Sequence, residues 1–385
     1  MKYDFSCVRK AVDDRIRRGV LPGVNLCVDI GGERVYEHTA GYSDISPKTP
    51  LRRDDIFRLA SMTKPITAVA ALIQQDRGKL SVHDEISKYL PEFKSGAVGR
   101  LNERGEIVAG AKILREPTIE DVLTHGSGFL SGEVGDMQFE ECGRMSKACP
   151  KDAVKCYEGL YYDFSPGSSQ FYSGLAALDL GVRLVEKSSG RDYESFLKEN
   201  VFEPLGMRDT GYRLNSEQRK RVVKMTRLSD DATFITDTDE SFGLAGHAGF
   251  CYPCVSGCTC MFSTLDDYAA FANMLCAGGV YKGNRILSRE AVDAMRTPHY
   301  ENGFAGMGPL FNWGYTVHVR SARRAGEQEL TEGSYGWSGA YNTHFWVDPN
   351  NNLTAVFMSN MDNAGGSGAV TAREFEHNVM LALEK

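Results

Sequence analysis

Ser61 and Lys64 stand three residues apart in the stretch Phe57-Arg58-Leu59-Ala60-Ser61-Met62-Thr63-Lys64-Pro65-Ile66-Thr67. A serine hydroxyl is a poor nucleophile until a neighbouring base takes its proton. A lysine amine serves as that base only when burial or nearby charge depresses its pKa. The same spacing occurs at Ser195-Phe196-Leu197-Lys198, which reads as the exposed face of an ordinary amphipathic helix, so the tetrapeptide alone decides little. What separates Ser61 is its place at a helix start. Ile66, Val69, Ala70 and Ile73 recur at helical spacing, Gly78 stands where a helix would end, and Pro65 fits only a first turn. The pair therefore falls on one helix face, at the positive end of a helix dipole.

An acyl-transfer site also needs a proton relay and donors for an oxyanion. Tyr172 follows the turn Ser165-Pro166-Gly167, and its phenol could ionise beside a cation; taken alone, a tyrosine heading an apolar helix is more often packing. Tyr335-Gly336-Trp337-Ser338-Gly339-Ala340-Tyr341 combines a strand with glycines, which lets a backbone N–H approach a reacting carbonyl. Its plain alternative is an edge strand with glycines at a bend. Cys251, Cys254, Cys258 and Cys260 crowd beside His247, but their spacing fits no standard ligand pattern. Small buried residues in a loop are the expectation there, with no metal and no cofactor.

These residues need a frame to hold them, and 385 residues suffice for one large domain with ample core. A composition of 42% hydrophobic and 25% charged residues is that of a globular protein, and a net charge of −7 argues against nucleic acid or anionic membrane as partner. No apolar run approaches the roughly 18 residues of a membrane span. Met1 to Val20 lacks the apolar core of a secretory signal, so the cytoplasm is the expected compartment and reduced thiols the default.

Asp4 to Gly19 reads as a helix, and Val24 to Ile30 with Arg34 to Ala40 as a hairpin turning at Gly31-Gly32. Ser81 to Leu90 reads as a short helical piece and Leu101 to Leu114 as a second hairpin. Thr118 caps a helix start, and Leu130 to Phe164 loosens into a helix or lid. Helices follow from Phe171 to Val185, Tyr193 to Val201, Leu265 to Leu275 and Ser288 to Met295, with Asn215 to Ser241 weakly patterned. Trp313 to Arg320, Gly333 to Trp337, Thr343 to Val347 and Leu353 to Ser359 are β-like, and Ala372 to Leu383 closes as a helix. Strands at both ends and helices between predict an α/β (α+β) fold: one antiparallel sheet built from both termini, with a helical lobe inserted. In numbers, residues 1–60 and 280–385 form the sheet lobe of a single domain, and 61–279 the mainly helical lobe.

Taken together, the motifs resemble the serine β-lactamase and penicillin-binding-protein superfamily, in its class C-related branch with the family VIII carboxylesterases. The resemblance runs from Leu21-Pro22-Gly23 to the last helix. It includes Leu59-Ala60-Ser61-Met62-Thr63-Lys64-Pro65, Asp121-Val122-Leu123-Thr124-His125-Gly126-Ser127-Gly128, Pro204-Leu205-Gly206-Met207-Arg208-Asp209-Thr210, Phe262-Ser263-Thr264-Leu265-Asp266-Asp267-Tyr268 and Phe345-Trp346-Val347-Asp348-Pro349. It implies a β-lactamase/transpeptidase-like fold, Ser61 as acylated nucleophile, Lys64 as its base and Tyr172 as proton shuttle. Trp337-Ser338-Gly339 takes the third-motif strand, with the N–H groups of Ser61 and Ala340 as oxyanion hole.

Two departures bear on substrate. Gly174 stands where β-lactamases of this branch have the Asn that holds the substrate amide, and Trp337 stands where they have the Lys of Lys-Thr-Gly. Both remove polar anchors, and both are typical of the esterase relatives. The expected activity is therefore hydrolysis of small esters through an acyl-enzyme. The same residues would serve a β-lactamase, a D-alanyl peptidase, an amidase or an acyltransferase. A sensor acylated once and slowly released is the non-enzyme alternative, which would give a stoichiometric burst without turnover. The oligomeric state has no signature in the sequence.

Overall fold

The computed structural model describes residues 3–141, 154–228, 234–236, 254–300, 310–321, 330–362, 366 and 368–383. Both ends of the chain feed one sheet. β1 (Gly23–Ile30) and β2 (Glu33–Ile45) form a hairpin turning at Gly31 and Gly32, whose φ angles of 63° and 79° give the left-handed pair that matches strand twist. β3 (Lys48–Pro50) continues from β2. The C-terminal part adds β4 (Phe311–Trp313), β5 (His318–Arg320), β6 (Tyr335–Gly339), β7 (Thr343–Asp348) and β8 (Leu353–Met358). The eight strands run β4-β5-β6-β7-β8-β1-β2-β3, with every neighbouring pair antiparallel. β8 joins the two halves, placing Phe357 opposite Leu26 and Ala355 opposite Val28.

The single β-like run expected over Trp313 to Arg320 is two strands around a turn. Gly314 N–H bonds Val317 O at 2.9 Å, and Thr316 adopts a φ of 62°. Leu123 O takes the Thr316 N–H and Met295 O that of Tyr315, so packing partners decide a break that β-propensity does not show.

On one face of the sheet, α1 (Ser6–Arg17) and α5 (Val370–Leu383) bring Phe5, Val8, Val12, Phe375 and Val379 against Leu26, Val28, Trp346 and Phe357. α4 (Leu265–Cys276) packs against β1, β7 and β8. Asn273 fastens it, donating to Asp29 at 2.6 Å and accepting from Thr354 at 2.9 Å. By its packing, this helix goes with the sheet rather than with the helical lobe where its sequence position put it.

α2 (Thr63–Asp76) packs against α3 (Ala177–Ser189). One apolar face was all that the spacing on α2 required, yet every residue from Thr63 to Gln74 is buried. A helix enclosed on all sides must satisfy its polar groups internally. Thr67 donates to Gly257 O at 2.9 Å and Gln74 to Ser188 at 3.1 Å. Gly78 follows the helix with φ of 65°, as its position suggested.

Elsewhere, Ser81 to Leu90 holds the 3-10 turn Ile86–Lys88 in place of a longer helix, and the second hairpin pairs Ala97–Leu101 with Ile107–Lys112. The loose segment contains the helix Glu133–Glu141, and its residues 142–153 lie outside the described residues. So do 229–233 and 237–241 of the weakly patterned stretch, together with His247 and Cys251.

Candidate active site

Ser61 sits in a 3-10 turn, Ala60–Met62, that leads directly into α2. Ala60 before it has a φ of 46°, a left-handed conformation that costs a non-glycine residue on the order of 1–3 kcal/mol. Neighbours hold the strained turn in place. Leu59 N–H bonds Met261 O at 2.9 Å, Tyr268 OH bonds Met62 O at 2.8 Å, and Thr343 Oγ1 bonds Leu59 O at 3.1 Å. Ala60 itself packs with Met225 and Tyr341. Ser61 is left partly exposed at the mouth of a buried helix.

Lys64 is wholly buried, and its Nζ lies 3.2 Å from Ser61 Oγ. Two backbone carbonyls complete its surroundings, Gly174 O at 2.6 Å and Cys258 O at 3.1 Å. Among the described residues no carboxylate lies within ion-pair distance of it. Lys198, at the same spacing from Ser195, is by contrast exposed and lies 3.8 Å from Glu203.

The Cys258 carbonyl is placed by a buried carboxylate. Asp179 on α3 accepts from Ser256 Oγ at 2.7 Å and Gly257 N–H at 2.9 Å, while Ser256 Oγ accepts the Cys258 N–H at 3.1 Å. Gly257 is required here, since a Cβ would lie 2.0 Å from Leu178 O. Cys254, Cys258 and Cys260 are buried in this segment, as small core residues are. Among the described residues no group of three His, Cys, Asp or Glu side chains is arranged to hold a metal ion.

Tyr172 lies on the loop ahead of α3, not at its head: the helix begins at Ala177, whose N–H is taken by Ser173 Oγ at 3.1 Å. The Tyr172 ring centroid is 4.9 Å from Lys64 Nζ. Its hydroxyl accepts a hydrogen bond from Trp337 Nε1 at 3.2 Å. Trp337 is only 4% exposed and packs between Trp313 at 4.5 Å, Tyr172 at 5.2 Å and His318 at 5.8 Å. It therefore backs the tyrosine. Burial above all pushes the His318 imidazole down to about 4.

Period-2 alternation along β6 sends Trp337 and Gly339 to the active-site face and Ser338 to the other. Ser338 Oγ lies 2.7 Å from His344 Nδ1, and His344 Nε2 lies 2.9 Å from Glu376 on α5. This Ser-His-acid chain is 2% exposed at Ser338 and fixes the strand from behind, so Ser338 offers no side chain to the site. Gly339 faces Leu59: a Cβ there would stand 2.2 Å from both Leu59 O and Thr343 Oγ1. Ala340 follows as an exposed turn residue, and among the described residues no acceptor takes its N–H. Gly174 leaves open space, with Tyr172 Cε1 as the nearest atom, 3.9 Å from a built Cβ.

Four groups were not legible in the sequence: the Gly174 and Cys258 carbonyls, Trp313 and the His125 ring. His125 is quoted in a motif but without a role, and a backbone carbonyl has no side-chain signature at all.

A model described as Beta-lactamase matches residues 8–375. The chain belongs to the beta-lactamase family. Protein Rv1367c of Mycobacterium tuberculosis (strain ATCC 25618 / H37Rv) is 31% identical over 368 residues, covering 88% of this chain and 86% of the relative. Esterase EstB of Burkholderia gladioli is 27% identical over 378 residues, covering 93% and 91%. The solved structure of EstCE1, described as a hydrolase with promiscuous acyltransferase activity, matches with a TM-score of 0.80 at 22% identity, covering 98% of each chain. This beta-lactamase-family chain is a serine hydrolase with the α+β architecture expected of it. No helix among the described residues is long and apolar enough to cross a membrane.

Proposed function

We propose that the protein hydrolyses small carboxylic esters through an acyl-enzyme on Ser61. One observation carries the reading: Lys64 Nζ is held by two carbonyls and faces Ser61 Oγ at 3.2 Å. A neutral amine has two N–H bonds and one lone pair. In the neutral form that acts as base, Gly174 O and Cys258 O can take the two N–H bonds, which leaves the lone pair for the Ser61 proton. Ser61 Oγ then bonds to the ester carbonyl carbon as its proton passes to Lys64. The oxyanion lies between the N–H groups of Ser61 and Ala340. When the C–O bond breaks, the leaving alkoxide takes a proton relayed from Lys64 through Tyr172, and the alcohol departs. Water attacks the acyl-enzyme along the same relay in reverse and releases the acid. An alcohol in place of water gives acyl transfer, and the likeness to EstCE1 favours this as a second outlet.

The likeness to an esterase supports an ester substrate, and so does the pocket chemistry. Gly174 offers no side-chain amide, and the buried Trp337 offers no cation on β6. A charged hydrogen bond is worth roughly 1.5–3 kcal/mol, or about ten- to hundredfold in rate. The kcat/KM for a short p-nitrophenyl ester should therefore exceed that for a chromogenic cephalosporin by at least about 10². Equal efficiency on both would sink the ester reading. Gly174→Asn, whose Cβ would meet no atom closer than 3.9 Å, should narrow the gap by roughly two- to tenfold through one neutral hydrogen bond. Trp337→Lys is a poorer test, because it would bury a cation and leave a hole among Trp313, Tyr172 and His318. We place the protein in the cytoplasm; the free thiols of Cys7, Cys27, Cys156 and Cys276 suit a reducing compartment.

A further inference from the structure

His125 is fully buried one residue beyond the helix end at Leu123–Thr124, and it adopts a left-handed φ of 60°. Its backbone is fixed from several directions. The capping box of Thr118 and Asp121 starts the short helix, Gly126 N–H bonds Asp121 O at 2.8 Å, and Tyr300 OH bonds Thr124 O at 2.8 Å. From this anchored position His125 touches three consecutive residues. Its carbonyl accepts the Phe171 N–H at 3.1 Å, its ring lies 4.7 Å from the Tyr172 ring, and its Nδ1 accepts the Ser173 N–H at 3.2 Å. The next residue is Gly174, whose carbonyl meets Lys64.

We infer that His125 is a positioning residue, a template that sets the Tyr172 hydroxyl and the Gly174 carbonyl against Lys64. The inference rests on the proton-transfer roles proposed above for Lys64 and Tyr172.

The chemistry of the ring suits this use. An amide N–H can only donate, so Nδ1 must carry a lone pair rather than a hydrogen. Burial above all holds the imidazole well below its ordinary value, which keeps that lone pair available. Trp313 supports the ring, with centroids 5.2 Å apart. A histidine that merely filled the core would have no reason to spend both its carbonyl and its ring nitrogen on the chain flanking Tyr172. Ser173 is pinned again by its own hydroxyl on Leu130 O at 2.6 Å, so the loop has no slack once His125 holds it.

Two variants separate the hydrogen bond from the ring. His125→Phe keeps an aromatic ring and loses the acceptor, while His125→Asn keeps an acceptor oxygen near Nδ1 and tolerates the left-handed backbone. On a p-nitrophenyl ester, H125F should lower kcat about 10- to 10²-fold with KM changed less than about threefold, and H125N should recover at least about threefold of that loss. In a Tyr172→Phe background, where the hydroxyl is gone and only the Gly174 carbonyl remains to be positioned, the loss from H125F should shrink by at least about threefold. Should H125F not fold at the assay temperature, the same cycle with His125→Gln, whose amide reaches the Nε2 position and leaves the Ser173 N–H without its acceptor, decides the matter. Equal losses in both backgrounds, an effect confined to KM, or H125N as impaired as H125F would overturn the inference while leaving the relay intact. A Y172F enzyme with normal kcat would instead overturn the relay reading on which the inference stands.

Discussion

Lys64→Met should lower kcat for a p-nitrophenyl ester by about 10³-fold while KM changes little, because general-base assistance is worth about 10²–10⁴-fold and the amine is not expected to hold substrate. Methionine keeps the length and apolar stem that the buried site demands and removes only Nζ. Alanine would add a cavity and blur the result. The substitution strands Gly174 O and Cys258 O without their shared donor, a cost of about 1–3 kcal/mol for each buried acceptor left unpaired. A thermal melt alongside the kinetics shows whether the enzyme remains folded at the assay temperature. Activity within a few-fold of wild type in a folded K64M would remove lysine from the chemistry. A change in KM alone would make it a binding group.

Gly339→Ala should be nearly as damaging, with kcat reduced about 10²–10³-fold, the range for loss of an oxyanion donor. The added Cβ would meet Leu59 O and Thr343 Oγ1 at 2.2 Å, closer than atoms can pack. Thr343 Oγ1 already donates to Leu59 O, so one carbonyl ties β7, which pairs with β6 at Gly339, to the turn that presents Ser61. Relief requires the strand to move away from that turn, which parts the N–H of Ala340 from that of Ser61. A shift of about 1 Å is worth about 10²-fold when donors are preorganised. Overpacking should also cost about 1–3 kcal/mol of stability, read as a lowered melting midpoint. A G339A enzyme with wild-type kcat would show that β6 takes no part in stabilising the oxyanion.

The parts legible in the sequence are those governed by local periodicity. Residues 61 and 64 share a helix face whatever surrounds them, so their pairing could be read from spacing and from Pro65. The Gly31-Gly32 hairpin and the strands at both chain ends follow from turn chemistry and β-branched content in the same way. What stayed hidden depends on contacts made across the fold. The carbonyls of Gly174 and Cys258 hold Lys64 as backbone groups, and 194 residues separate Cys258 from the lysine it meets.

Direction along a strand was hidden too. Ser338 reads as a site residue until the pleat turns it toward His344, and nothing in the sequence shows Trp337 enclosed by Trp313 and Tyr172. Tyr172 reads as a helix head because Phe171 to Val185 is apolar, whereas Ser173 delays the helix by capping Ala177. The cysteine segment drew notice for its thiols, and its contribution to the site is a carbonyl positioned by Asp179.

A covalent acyl-enzyme on Ser61 is tested most directly by a mass measurement. The intact protein is treated with a fluorophosphonate, weighed, digested, and the modified peptide sequenced by fragmentation. One adduct per chain is expected, on the peptide containing Ser61, absent from Ser61→Ala and formed more slowly in Lys64→Met. An adduct on Ser195, or one that persists undiminished in Ser61→Ala, would contradict the account.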